Sequence, residues 1–332
     1  MTKPITRTWQ QKFFSWLRVV ISLLLLLRAF TLIDWQSIQR ALPTIQFEWL
    51  FLTLLLLWVS NATSGLRWGK IMQAGGFSNP LIEYVRWYFS GGLINQGLPT
   101  TLGGDSYRAI SALQHTESNL SLQTSQTPNL KSAFYNVALD RSLGFAGNSI
   151  LGAIGLGLGG YIFNDWLGTT GWILVGVMIS GAGFISFLLH FKASRTLIQK
   201  TLERLQIHHG MQATMNAWGW PNIIVQIPFA VLIHALTLAA YWGCLKACHV
   251  DAPLESLLIG IPAISILMIL PISISGWGLR ETSLASILGL WHLDTSLVIL
   301  SSLLYGLITL ITFLPGLFRL VVKKTPPEII SL

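Results

Sequence analysis

Six stretches of the chain stay almost continuously apolar over the length that a membrane helix requires: 13–33, 49–66, 133–157, 169–191, 221–243 and 297–319. About 20 such residues cross a hydrocarbon core. Two further apolar stretches, 84–99 and 254–271, behave differently, because each ends in proline and runs into a Gly-rich polar segment. Each is followed by a second arm, 105–116 or 279–293, that is short for a crossing. Proline cannot continue a helix and glycine permits a sharp reversal, so the pattern predicts two re-entrant hairpins at about 84–116 and 254–293. The expected architecture is an all-α polytopic membrane protein: one domain over 1–332 with about six spanning helices and two hairpins. A polar loop at 109–132, a basic loop at 192–219 and a short tail at 323–332 complete the layout.

Composition agrees and narrows the class. Of 332 residues, 52% are hydrophobic and only 10% charged, whereas an ordinary soluble chain carries roughly a quarter charged residues. Disorder and collagen are excluded with the soluble class. The net charge of +8 has a simpler use here than binding nucleic acid, since Lys and Arg concentrate in cytoplasmic loops and set orientation. With the N-terminus inside and each hairpin returning to its own side, fifteen basic residues, Arg67 among them, fall on the cytoplasmic side. Arg28, Arg40 and Lys246 fall outside, and Arg108, Arg141 and Arg280 remain at membrane depth. Both termini are therefore expected on the cytoplasmic side. Lys3, Arg7 and Lys12 before an apolar run resemble a secretory signal, but Arg28 interrupts the run and no small-x-small cleavage site follows. Tryptophans 35, 49, 166, 172, 218, 220, 242 and 291 lie near the proposed span ends, where amphipathic rings favour the headgroup region.

The two hairpins repeat one another. Leu98-Pro99-Thr-Thr-Leu-Gly103-Gly104-Asp105-Ser-Tyr-Arg108 aligns with Leu270-Pro271-Ile-Ser-Ile-Ser275-Gly276-Trp-Gly278-Leu-Arg280 at a constant offset of 172, arginine following proline by nine residues in both. By the charge-derived topology one hairpin enters from each side, an inverted repeat of the kind that builds many transporters around a midplane site. Helix N-termini at the second arms favour anions. Arg108 and Arg280 would each add a fork of donors matched to phosphate or carboxylate, beside Gly103, Gly104 and Gly276. Asp105 and Glu281 lie close enough to pair with those arginines, orient them or exchange partners as access alternates. Structural ion pairing is the competing reading, although an intramembrane charge is a functional candidate by default. Asp140 and Arg141 are adjacent on one helix and so face different neighbours.

Asn95-x3-Pro99-x3-Gly103-Gly104-Asp105-x2-Arg108, then Asp140-Arg141, then Leu270-Pro271-x-Ser273-x2-Gly276-x-Gly278-x-Arg280-Glu281 together resemble the lysylphosphatidylglycerol synthase transmembrane-region family, also called flippase-like membrane proteins. The resemblance covers nearly the whole chain. It implies an inner-membrane protein handling a lipid or lipid-linked substrate, with Asn95 and Ser273 joining the candidate site. Ser275 and Trp277 stand where the family usually has glycine and a smaller aliphatic residue. After the last apolar stretch only VVKKTPPEIISL remains, so the soluble synthetic domain of the larger family members is not expected and aminoacyl transfer by this polypeptide alone is not expected either.

Other signals carry less. GLGLGG at Gly155–Gly160 matches a dinucleotide-binding string, but that motif needs a strand before it and a helix after it. Here Gly155 and Gly159 have the spacing that brings membrane helices close. Cys244 and Cys248 are read as packing residues, His208-His209 as part of a solvated basic stretch, and no metal or other cofactor is expected. The leading expectation is a flippase-like protein that binds an anionic phospholipid or polyprenyl-linked headgroup near the midplane and assists its translocation, not an enzyme. The alternatives are a non-transporting partner that recruits a separately encoded lipid- or glycan-modifying enzyme, and an enzyme acting on a lipid-linked substrate.

Overall fold

The computed structural model describes residues 9–98, 102–119, 128–159, 219–268 and 272–322, and among these every regular element is a helix. In chain order they are α1 (Trp9–Thr31), α2 (Trp35–Ala41), α3 (Phe47–Ala74), α4 (Leu81–Gly97), α5 (Leu102–Asn119) and α6 (Leu130–Gly159). There follow α7 (Trp220–Ala247), α8 (Leu254–Leu267), α9 (Leu279–Leu288), α10 (Thr295–Phe313) and α11 (Pro315–Val322). Four runs are long and apolar enough to cross a membrane: α3, α6, α7 from Asn222, and α10 continued into α11 as Thr295–Val321. Each coincides with an expected span. A fifth expected span coincides with α1, which turns by 81° into the α2 segment; Asp34 caps α2 by accepting bonds from the Gln36 and Ser37 amides. The expected span at 169–191, the basic loop and the tail lie outside the described residues.

Helices α3 and α7 form the central antiparallel seam. The amide of Gln46 bonds the carbonyl of Ala247, the Thr53 hydroxyl bonds that of Ala240, and the Ser60 hydroxyl bonds that of Ile233, at 3.1, 3.1 and 3.2 Å. Each step of seven residues up one helix is seven down the other, the repeat that keeps a two-helix seam in register. The next position along this register is Arg67 opposite Gln226, both buried.

The two hairpins open toward opposite ends of the bundle. The Asn79 amide, just before α4, donates to the Ala112 carbonyl at 2.9 Å and the Thr116 hydroxyl at 2.8 Å, so α5 returns to where α4 began. Residues 109–119, expected as part of a polar loop, are therefore helical: Ala109, Ile110, Ala112 and Thr116 are buried and hold the arm against its neighbours. α11 runs back along α4 at the same end, with Arg319 Nη1 on Glu83 Oε2 at 2.5 Å and the Ser90 hydroxyl on the Gly316 carbonyl at 3.1 Å. We call this the proximal end. The second hairpin starts at the distal end, where α8 packs on the finish of α6. A Cβ on Gly155 would stand 2.6 Å from the Leu258 backbone, and one on Gly159 would stand 2.9 Å from Glu255 Cβ. The Gly155/Gly159 spacing thus serves close helix approach, as expected. Helix starts repeat as well: α3 and α7 begin at 47 and 220, α4 and α8 at 81 and 254, each pair 173 apart.

Burial divides by end. Residues of α3, α7, α8, α9 and α10 form the larger apolar cluster, which includes the stacked pair Tyr241 and Tyr305. Trp68, Tyr84, Trp87, Phe77 and Met72 form an aromatic cluster around the first hairpin.

Candidate functional site

Five charged side chains from three helices converge at the first hairpin. α5 carries Asp105 and Arg108 one turn apart, so they meet on one face, and Arg108 Nη2 donates to Asp105 Oδ1 at 2.6 Å. α6 carries Asp140 and Arg141, which take separate partners as adjacent helical residues must. Arg141 grips Asp105 with two bonds, Nε to Oδ2 at 3.0 Å and Nη2 to Oδ1 at 2.8 Å. Asp140 faces α3 instead, accepting Arg67 Nε and Nη2 on Oδ1 at 3.1 and 2.8 Å, while Arg67 Nη2 also bonds the Asp140 carbonyl at 3.0 Å. The second oxygen of Asp140 lies 3.7 Å from Arg108 Nη1 and joins the two groups into one network.

Three guanidinium groups against two carboxylates leave a net charge of +1 in a site that is largely closed. The side chains of Arg67, Asp140 and Arg108 are 6%, 4% and 4% exposed, whereas Arg141 is 50% exposed. Arg108 is held between two rings, its guanidinium carbon 4.9 Å from the Trp68 centroid and 4.8 Å from that of Tyr88. Cation–π attraction of this kind strengthens where water is excluded. Gly91 makes room for this: a Cβ there would stand 2.9 Å from Arg108 Cγ. Arg67 Nη1, Arg108 Nη1, Trp68 Nε1 and Asn136 Nδ2 are buried donors with no hydrogen-bond partner among the described residues, and a buried donor without such a bond is costly enough to require an explanation.

The second hairpin is organised differently. Arg280 Nε and Nη2 donate to Glu281 Oε1 at 2.9 and 2.6 Å, and the Ser302 hydroxyl adds a bond to the same oxygen at 3.2 Å. The other carboxylate oxygen accepts the Gly278 amide at 2.6 Å. Arg280 lies over the rings of Trp277 and Tyr305. One cation meets one anion, both buried, and the group is electrically closed.

The glycines of the two hairpins have different uses. Gly103 and Gly104 lie within helix α5 rather than in its turn. A Cβ on Gly104 would stand 2.1 Å from the Gly91 carbonyl, so this glycine lets the two arms touch. The Gly104 amide is not open to a ligand, because it bonds Asn95 Oδ1 at 2.8 Å. In the second hairpin Ser275, Gly276 and Gly278 do adopt left-handed conformations, at φ 48°, 79° and 81°. Only glycine does so freely; Ser275 is tied there by its hydroxyl, which faces the carbonyls of Asn95 and Gln96 at 2.9 and 3.3 Å. The hairpin tips therefore touch, although Pro99 and Pro271 themselves lie outside the described residues. Ser273 is buried near this junction and belongs to neither charged group.

Of the residues singled out in the sequence, Asp105, Arg108, Asp140 and Arg141 come together. Arg280 and Glu281 form their own pair, and no ion pair among the described residues joins the two networks. The fifth member of the first network, Arg67, was expected in a cytoplasmic loop. Helix α3 continues beyond the apolar stretch to Ala74, which carries Arg67 into the bundle, where it is 5% exposed. Its signal in the sequence is weak: small residues Ser64, Gly65 and Gly69 around it mark a face pressed against other helices.

No curated protein and no solved structure matches the chain significantly. The family described as the lysylphosphatidylglycerol synthase TM region matches residues 15–316, a range that contains both hairpins and all five charges of the cluster. The chain is accordingly a multi-pass integral membrane protein and belongs to the lysylphosphatidylglycerol synthase transmembrane-region family.

Proposed function

We propose that the protein binds the anionic headgroup of a phospholipid or polyprenyl-linked lipid at the first hairpin and assists its passage across the bacterial inner membrane. The observation that carries this reading is the excess guanidinium: a cluster of net charge +1, closed except at Arg141, in which Arg67 and Arg108 each keep a buried N–H group that makes no hydrogen bond among the described residues. Phosphate matches a guanidinium fork in charge and geometry. Family membership supports a lipid-related role. The positive-inside bias makes the proximal end cytoplasmic, so the cluster belongs to the hairpin that enters from the cytoplasm. Helix starts separated by 173 residues, hairpins opening to opposite ends and matched arginines 172 apart support an inverted duplication, an architecture suited to alternating access around touching tips. Among the described residues, the network at the first hairpin carries surplus charge and the pair at the second does not, so binding is asymmetric between the hairpins. In this reading the chain performs no covalent chemistry.

The test is reconstitution into vesicles of phosphatidylcholine and phosphatidylglycerol carrying a fluorescent phosphatidylglycerol, with a membrane-impermeant quencher added outside. Wild type is expected to expose the inner-leaflet pool to quenching, and Arg108→Ala to behave as protein-free vesicles do. Undiminished translocation in an Arg67→Ala/Arg108→Ala variant would discard the mechanism. Silence in both proteins would favour recruitment of a separately encoded lipid- or glycan-modifying enzyme.

A further inference from the structure

Among the described residues, Asp105 is the one carboxylate shared by two arginines through the same oxygen, and its contacts with the two are unequal in kind. Toward Arg141 it makes a complete two-point grip, Nε to Oδ2 and Nη2 to Oδ1. Toward Arg108 it makes a single bond from Nη2. Losing the Arg108 bond would leave Asp105 fully paired, because a bidentate guanidinium–carboxylate contact satisfies both partners. Arg108 would also keep its place, held between Trp68 and Tyr88 and facing Asp140 at 3.7 Å. What that loss would expose is Nη2 next to Nη1, which makes no hydrogen bond among the described residues and only the longer 3.7 Å contact to Asp140. Those two nitrogens form the end of the guanidinium fork that binds phosphate at two points. The exposures order the groups along a path, from Arg141 at 50%, through Asp105 at 11%, to Arg108 at 4%.

We infer that Asp105 is a displaceable counter-ion: it occupies Arg108 while the site is empty and withdraws onto Arg141 when a phosphate-bearing headgroup takes its place. This rests on the reading of the cluster as an anion site and adds the residue that sets its affinity. Asp105 then competes with the ligand, so removing its charge strengthens binding. Arg141 acts by holding Asp105 aside, not by touching the ligand.

The experiment is a binding titration of the full chain in phosphatidylcholine-doped micelles, using phosphatidylglycerol as the probe, with glycerol phosphate and inorganic phosphate as separate arms. Asp105→Asn, of the same size, is expected to tighten phosphatidylglycerol binding by at least about fivefold, the low end of typical coupling between competing groups. Asp105→Glu keeps the charge and is expected at or below wild type. Arg141→Ala is expected to weaken binding in the wild-type background and to change nothing in the Asp105→Asn background. The soluble phosphates are expected to follow the same order with lower affinity; if they bind as tightly as the lipid, the occupant is a free phosphate and not a headgroup. Weaker binding by Asp105→Asn, comparable with Arg108→Ala, would overturn the counter-ion role while leaving the site in place. Binding unchanged by both Asp105→Asn and Arg108→Ala would overturn the site itself. Thermal unfolding of each variant separates loss of affinity from loss of fold.

Discussion

Arg67 and Asp140 illustrate how a buried charge constrains its partner. Both are nearly inaccessible, and three hydrogen bonds join them. Removing one member strands the other in a medium that solvates it poorly, which costs about 3 to 5 kcal/mol. Arg67→Ala and Asp140→Ala should therefore each lower the midpoint of unfolding in mild detergent, whereas Arg67→Met/Asp140→Leu should recover most of the loss. Recovery of stability without recovery of anionic-lipid binding is the expected pattern; an equally large loss in the double variant would show that the pair is needed for packing rather than for charge. Which charges pair was partly legible in the sequence. Asp105 and Arg108 are three apart, and Arg280 and Glu281 are adjacent, so local geometry brings each pair into reach. Arg67 and Asp140 are 73 residues apart, and nothing local in either segment names the other. Their pairing is a product of how α3 packs on α6. The same holds for Ser275, whose left-handed backbone follows from contact with the end of α4 rather than from its neighbours in sequence.

Helices meet closely here because small residues sit where two axes cross. Gly155 and Gly157 are two apart on α6, yet only the first faces α8. A Cβ on Gly155 would press on the Leu258 backbone, which cannot move aside as a flexible side chain can, whereas one on Gly157 would meet nothing within 4 Å among the described residues. Gly155→Ala is expected to destabilise the protein by roughly 1 to 3 kcal/mol, the usual range for overpacking. Gly157→Ala should be neutral, or stabilising by up to about 1 kcal/mol through helix propensity. Thermal unfolding of the two variants side by side checks this, and equal effects would contradict the observed helix contact. The hydrophobic pattern located the elements well: stretches ending in proline became α4 and α8, and their second arms became α5 and α9. It was less informative at the polar end of α5. TESN reads as loop from its polarity alone, yet Thr116 is buried and bonded by Asn79, and that tie is invisible in a local window.

At the scale of the whole molecule, the two halves share a plan and differ in charge. Each has a long helix followed by a hairpin with an arginine near its tip, and the hairpins open to opposite ends. One arginine is neutralised by Glu281, while the other belongs to a network with a cation to spare. The two hairpins were readable from the apolar stretches that end in Pro99 and Pro271 and from Arg108 and Arg280 beyond them; the difference in charge was not, because it depends on Arg67 and Arg141 reaching the first network from other helices. A neutral group is a means of holding a hairpin in place, and a network with a surplus cation at its exposed edge and buried N–H groups that make no hydrogen bond among the described residues is a means of holding an anion. The central claim is that only the first of these arginines faces a ligand. Native mass spectrometry of the protein released from mild detergent tests it most directly, comparing lipids that co-purify with wild type, Arg108→Ala and the isolated neutral replacement Arg280→Met/Glu281→Leu. Wild type and the second-hairpin variant should carry the same anionic lipid, and Arg108→Ala should lose it while remaining folded. Retention of that lipid by Arg108→Ala, with loss in the second-hairpin variant, would contradict the account and move the site to the other half of the molecule.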